Sequence, residues 1–230
     1  MAHDSVPATN ITAAKALAFD DLVAVVDGRT LQIHWHAGDR GAGLAAYRNA
    51  QRTFYVRRGA FEALWHGGDG FIYFSLNHDT AGTTAFGPFC IAIATSLDGH
   101  PDAAVFPADT AQRYTDSSGG INVTQVMSEV GDWTARGDIA VNELHTDVVP
   151  PPSTWPNLLC SKDRYLEIVV VGPVPLADVF ELRLNRDDAK TLNRLSRQQR
   201  RGDLSDPTDI AAALAYQAIR RWRGTRLRIV

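Results

Sequence analysis

Apolar and polar positions along this chain follow two periods, one of strands and one of helices. The run Tyr165-Leu166-Glu167-Ile168-Val169-Val170-Val171 is rich in β-branched residues and stops at Gly172-Pro173, which predicts a buried strand. Phe71 to Leu76 is aromatic and aliphatic and predicts a second strand, ending in a polar loop from Asn77 to Thr84. Phe89 to Ala94 predicts a third, after Gly87-Pro88. Thr30 to His36 alternates after the Asp27-Gly28 turn: Leu31, Ile33 and Trp35 fall on one face, Gln32, His34 and His36 on the other. Thr53 to Arg57 and Asp138 to His145 read as further strands.

The helical period is shorter-lived. Leu44 to Arg52 reads as a short helix, and Ala60 to His66 as a helical turn closed by Gly67-Gly68. Asp187 to Arg201 reads as a polar helix. Asp206 is placed to cap another that starts at Pro207 and runs to about Trp222. Ala13 to Val26 and Ile121 to Glu129 fit either period. Residues 1 to 12 read as a polar leader, 97 to 120 as a long loop, and Val149 to Pro152 as a stiff connector. The pattern predicts an α+β fold, strands with irregular helices between them. Residues 1–185 would form the main domain, and 186–230 a basic helical segment packed on it.

A hydrophobic content of 45% supports a sizeable core for 230 residues. No run of about 18 apolar residues is present, so no transmembrane helix and no membrane partner are expected. The start of the chain lacks a basic stretch followed by an apolar one, so no signal peptide is expected. Cys90 and Cys160 lie far apart and outside any CxxC pattern, and Cys90 reads as a buried free thiol. Both features fit a reducing cytoplasm. The net charge of −3 is unevenly spread. From Arg183 to Val230 there are twelve Lys or Arg against five Asp, about +7, which leaves about −10 for the rest. Segment 194–228 could therefore meet a phosphate-rich ligand or a nucleic acid.

The candidate chemistry centres on Glu167, a lone carboxylate in an apolar strand. A charge there is costly unless it is paired or used. Tyr73 and Ser75 share parity, and so one face of their strand. The order of the pieces Ile33-His34-Trp35-His36, Ile72-Tyr73-Phe74-Ser75-Leu76 and Tyr165-Leu166-Glu167-Ile168-Val169 resembles the ADP-ribosyltransferase-like fold, including its toxin and effector members. The resemblance covers about a quarter of the chain. Tyr165 stands where many arginine-modifying members carry Gln or Glu, and no Ser-Thr-Ser follows the start of the second strand.

The resemblance implies a mostly antiparallel, split β-sheet with flanking helices. It also implies transfer of ADP-ribose from NAD to a macromolecular acceptor, a protein or a nucleic acid met through segment 194–228, or NAD hydrolysis, without a metal. Glu167 would stabilise an oxocarbenium-like transition state through the ribose hydroxyls. Tyr73 would stack on nicotinamide. His34, His36 or Arg40 would serve as the first-strand residue, with His34 the catalytic choice. His36, Arg40, Ser75 and Asn77 would complete the NAD site.

Two other readings stay open. His34 and His36 point the same way in a strand and could bind one metal, and Gly28 followed by His-x-His resembles the opening of the first cupin motif. Alternatively the chain is a non-enzymatic binding or immunity module, with Trp133, Trp155 and Trp222 as core or interface anchors. Asn77-His78-Asp79 fits a site loop or an ordinary turn. There is no Gly-x-Ser-x-Gly elbow and no phosphate-binding glycine loop.

Overall fold

A computed structural model describes residues 6–11, 30–31, 52–77, 80–83, 88–93, 97, 100–144, 164–171, 174–175, 179–221 and 226–230. The strands are β1 (Val6–Ile11), β2 (Thr30–Leu31), β3 (Phe71–Asn77), β4 (Phe89–Ile93), β5 (Ala103–Phe106), β6 (Glu167–Val171), β7 (Val174–Pro175), β8 (Val179–Leu184) and β9 (Arg226–Ile229). Seven form one sheet in the order β5-β6-β3-β1-β4-β8-β9, and β2 pairs with β7 in a separate ribbon. Every pairing is antiparallel except β8 with β9. The helices are α1 (Arg52–Glu62), α2 (Thr110–Arg113), α3 (Val123–Glu129), α4 (Arg136–Leu144), α5 (Arg186–Arg201) and α6 (Pro207–Arg221). The fold is α+β with mostly antiparallel sheets.

The sheet has two unlike faces because strand side chains alternate. One carries Ile72, Phe74, Phe89, Ile91, Ile168 and Leu182, and joins Leu192 of α5 and Ile219 of α6 in the main core. α5 and α6 pack against each other, and β9 extends the sheet, so these three elements are built into the same core. The opposite face carries a second apolar cluster towards β5, where Phe61 of α1 meets Phe71, Phe106, Tyr114 and Val169, and a small one at Cys90 and Ala92 of β4. Elsewhere it carries Ser75, Asn77, Glu167, Glu181 and Arg183, all buried.

Several elements depart from the expectation. Residues 6–11 are not a leader but β1, inserted between β3 and β4 at the middle of the sheet. Thr53 to Arg57 is the first half of α1 rather than a strand. Phe54, Arg58, Phe61 and Trp65 recur at helical spacing, and a cation in that stripe hides its period. Asp138 to His145 falls largely in α4, where Arg136 and Ala140, one turn apart, are buried while Val141 is exposed. The loop expected over 97–120 contains β5 and α2. β8 and β9 had not been expected. Ile121 to Glu129 resolves as α3.

Other elements fall where the periodicity puts them. β3, β4 and β6 match within a residue or two. α5 starts one residue early, capped by Asn185, whose side chain accepts from the Asp188 amide at 2.7 Å. It ends at Gly202, whose φ of 77° is the left-handed conformation glycine tolerates best. Asp206 caps α6 by accepting from the amides of Thr208 (2.7 Å) and Asp209 (3.2 Å). Cys90 is a buried free thiol. Trp133 is a core residue, with the Arg136 guanidinium 4.3 Å above its ring. The Ala13–Val26 and Leu44–Arg52 readings, the strand beyond Leu31, the 149–152 connector, Cys160, Trp155 and Trp222 lie wholly or almost wholly outside the described residues.

Candidate functional site

The polar face of the sheet is organised around Glu167. It opens β6, directly opposite Ser75 of β3 and Phe106 of β5. This register turns the carboxylate away from the main core and towards α1 and α2. α1 supplies Arg58, and α2 begins at Thr110.

Glu167 is 3% exposed and Arg58 4%. Arg58 Nη2 donates to Glu167 Oε1 at 3.3 Å, and Nη1 to Oε2 at 3.4 Å. The Thr110 amide donates to Oε2 at 2.8 Å and the Thr110 hydroxyl at 2.6 Å. That hydroxyl in turn accepts from Arg58 Nη1 at 2.8 Å, closing a ring of three residues. Asp109 adds a second carboxylate, 3.9 Å from Arg58, and accepts from the Tyr165 hydroxyl at 3.0 Å. It also caps α2 through the Gln112 amide at 3.0 Å. Arg58 Nε has no hydrogen-bond partner among the described residues.

Burial pushes the Glu167 carboxyl above its ordinary range, and Asp109 adds to that; Arg58 and the Thr110 donors pull against it. Burial alone would lower Arg58, but Glu167, Tyr73 and Asp109 together raise it, so the guanidinium stays charged. Burial also raises the Tyr165 phenol, reinforced by Glu167 and Asp109. The cluster is a cation set between two carboxylates in a dry environment. Removing one partner from such an arrangement is costly, because it leaves an uncompensated buried charge.

Tyr73 reaches the same cation. The Arg58 guanidinium carbon lies 3.8 Å from the ring centroid, so that ring face is taken by a cation–π contact. The Tyr73 hydroxyl donates to Glu62 Oε1 at 2.9 Å. Burial raises the phenol, Arg58 lowers it, and Glu62 and Glu167 raise it further, so the net shift is upward.

Ser75 is buried opposite Glu167 and its hydroxyl accepts from Thr83 at 3.4 Å. Asn77 lies further along β3. Its side-chain oxygen accepts from the Thr80 amide (3.0 Å), the Thr80 hydroxyl (3.2 Å) and Arg183 Nη1 (3.3 Å). Its amide donates to the Thr80 carbonyl (3.0 Å) and to Cys90 Sγ (3.6 Å). The structure therefore brings Tyr73, Ser75 and Glu167 to one face around Arg58, and ties Asn77 into the turn that follows β3. His34, His36 and Arg40 lie outside the described residues, as does His78. Among the described residues no group of three or more His, Cys, Asp or Glu is arranged to hold a metal ion.

The residues that sequence reasoning missed are Arg58, Asp109 and Thr110. The signal for Arg58 was its place in the Phe54–Phe61–Trp65 stripe. For Asp109-Thr110 it was an N-cap pair in a stretch read as loop.

Comparison with known proteins returns no match: no protein-family model, no curated protein and no solved structure matches the chain. No helix among the described residues is long and apolar enough to cross a membrane.

Proposed function

We propose that the chain is a binding domain and that Glu167 is a structural group within it. The observation that supports this reading is the burial of the carboxylate. Both oxygens of Glu167 are engaged by Arg58 or Thr110, and the side chain is withdrawn from solvent. A group that must meet ribose hydroxyls needs acceptor positions that a ligand can reach. Breaking one partner of a buried ion pair is strongly destabilising, so a buried pair can tie elements together without a chemical task. This one joins α1, α2 and β6. A reducing compartment, the cytoplasm, fits the free thiol of Cys90.

A second reading is favoured by one specific observation: Tyr73, Ser75 and Glu167 share a sheet face, as an ADP-ribosyltransferase-like fold would require. On that reading NAD is the substrate, Glu167 stabilises the developing cation, and the acceptor is a protein or nucleic acid. Arg58 would have to swing out to admit the ribose.

Nicotinamide release from NAD separates the two. The binding reading expects no release above the protein-free rate, with or without cell lysate. Release by the wild type that disappears in a folded Glu167→Gln variant would overturn it in favour of the transferase.

A further inference from the structure

We propose that the outer face of α5 is a docking surface for the phosphate backbone of a nucleic acid; this rests on the binding reading above. Arg186, Lys190, Arg194, Arg197 and Arg201 recur at intervals of three and four, which places them within ~80° of one another around the helix. All five are exposed. They form a stripe ~22 Å long at the helical rise of 1.5 Å per residue. The apolar residues Leu192 and Leu195 point the other way, into the core.

The stripe is largely unneutralised. α5 holds six cations against Asp187 and Asp188, and both acids lie in its first turn. Lys190 pairs with Asp187 at 3.1 Å, both side chains being well exposed, a contact that solvent screens heavily. Arg194 donates to Gln198 at 3.0 Å. Arg186, Arg197 and Arg201 have no acidic partner among the described residues. A row of like charges on a rigid helix is self-repelling, and it is relieved when a polyanion lies along it.

The chemistry of the face selects the partner. Four of the five cations are Arg, whose planar fork matches phosphate oxygens bidentately. The remaining residues of this outward side are polar, such as Asn193 and Gln198. An anionic membrane would call for apolar residues flanking the basic face, and here these are consumed by the core. The acidic balance of residues 1–182 leaves the C-terminal segment, to which this helix belongs, as the part of the chain that would draw a polyanion in.

The test uses the full chain and fluorescence anisotropy with a labelled single-stranded oligonucleotide, its duplex, and phosphatidylserine vesicles, each across a salt series. The expected result is binding to oligonucleotide that weakens steeply with salt. The triple variant Arg194→Gln, Arg197→Gln, Arg201→Gln should bind at least tenfold more weakly and lose up to ~3 charges from the salt slope, at ~0.9 per phosphate on a duplex. All three positions are exposed, so the fold should survive. If the Gln variant does not fold, the same measurement on the single variant Arg197→Gln, expected to lose about one unit of slope, replaces it. Absence of wild-type binding at low salt, an unchanged slope in the variant, or binding to vesicles alone would each overturn the proposal. Failure here leaves the nicotinamide result untouched, so the two readings fall separately.

Discussion

Glu167 and Glu181 occupy the same cross-strand row of the large sheet, with Ser75, Ala8 and Ala92 at the positions between them. They stand four strands apart, ~19 Å at the usual spacing. Both are buried, and each is paired with a buried arginine, but the pairings differ in kind. Arg183 reaches Glu181 at 2.5 Å from two positions along the same strand, and Arg228 of the parallel neighbour adds a contact at 3.7 Å. Arg58 reaches Glu167 from a helix 109 residues away in sequence. The first pair is local to one sheet edge; the second fastens α1 to the sheet.

Cutting that fastening should be costly. Arg58→Ala leaves a buried carboxylate without its cation and should lose ~3–5 kcal/mol of stability, read from the urea midpoint. Glu167→Gln keeps the size and one acceptor and should cost less. The double variant Arg58→Met, Glu167→Leu should recover part of the loss, because the Glu167 carboxylate is gone as well, while Asp109 keeps the bonds from the Tyr165 hydroxyl and the Gln112 amide. A loss under ~1 kcal/mol for Arg58→Ala would mean that water reaches the pair, and would reopen the catalytic reading of Glu167.

Two glycines should respond with opposite sign. A Cβ on Gly68 would run into the carbonyl oxygen of Glu62 and sit 2.8 Å from its carbon, so backbone must move. Gly68→Ala should therefore destabilise by ~1–3 kcal/mol. A Cβ on Gly59, inside α1, meets nothing within 4 Å. Gly59→Ala should stabilise by ~0.5–1 kcal/mol through helix propensity and a less flexible unfolded chain. Thermal melts of the two variants read both effects.

Removing residues 1 to 12 takes away β1 and leaves β3 and β4 with unpaired edges at the centre of the sheet. The truncated chain should fail to give a cooperative unfolding transition and should aggregate. A stable, soluble truncation with an unchanged melting temperature would contradict the place of β1.

Stability should fall at both ends of the pH range. Burial alone would raise Glu129, but Arg113 at 2.6 Å, Gln125 and Tyr114 hold it below the ordinary value of 4.5. A carboxyl depressed in the folded state contributes stability above its unfolded pKa and loses it as pH falls, here from about 4.5 downward. Arg113→Ala should shift the acid midpoint to higher pH. Tyr73, Tyr114 and Tyr165 are raised above 10.0, chiefly by burial. Their contribution is full below that value and is lost as pH rises past it, so their phenolate absorbance should appear with alkaline unfolding. Phenolate from these three in the native protein at pH about 10 would count against their burial.

The strands Phe71–Asn77, Phe89–Ile93 and Glu167–Val171 were legible from residue pattern alone, as were the cap at Asp206 and the course of α5. In each, the signal is local: β-branched and aromatic runs, a capping side chain, charges returning every third or fourth residue. β1 carries no such signal. Val6-Pro7-Ala8-Thr9-Asn10-Ile11 does not alternate apolar with polar residues and carries a proline, and it is a strand because β3 and β4 present unpaired backbone on either side. α1 hid for a related reason, since the cation in its buried stripe is tolerable only opposite a carboxylate contributed much later in the chain. Glu167 could be recognised from sequence as a charge that needed a partner. Which residue became that partner was decided by packing, because an ion pair between distant segments leaves no period in either of them.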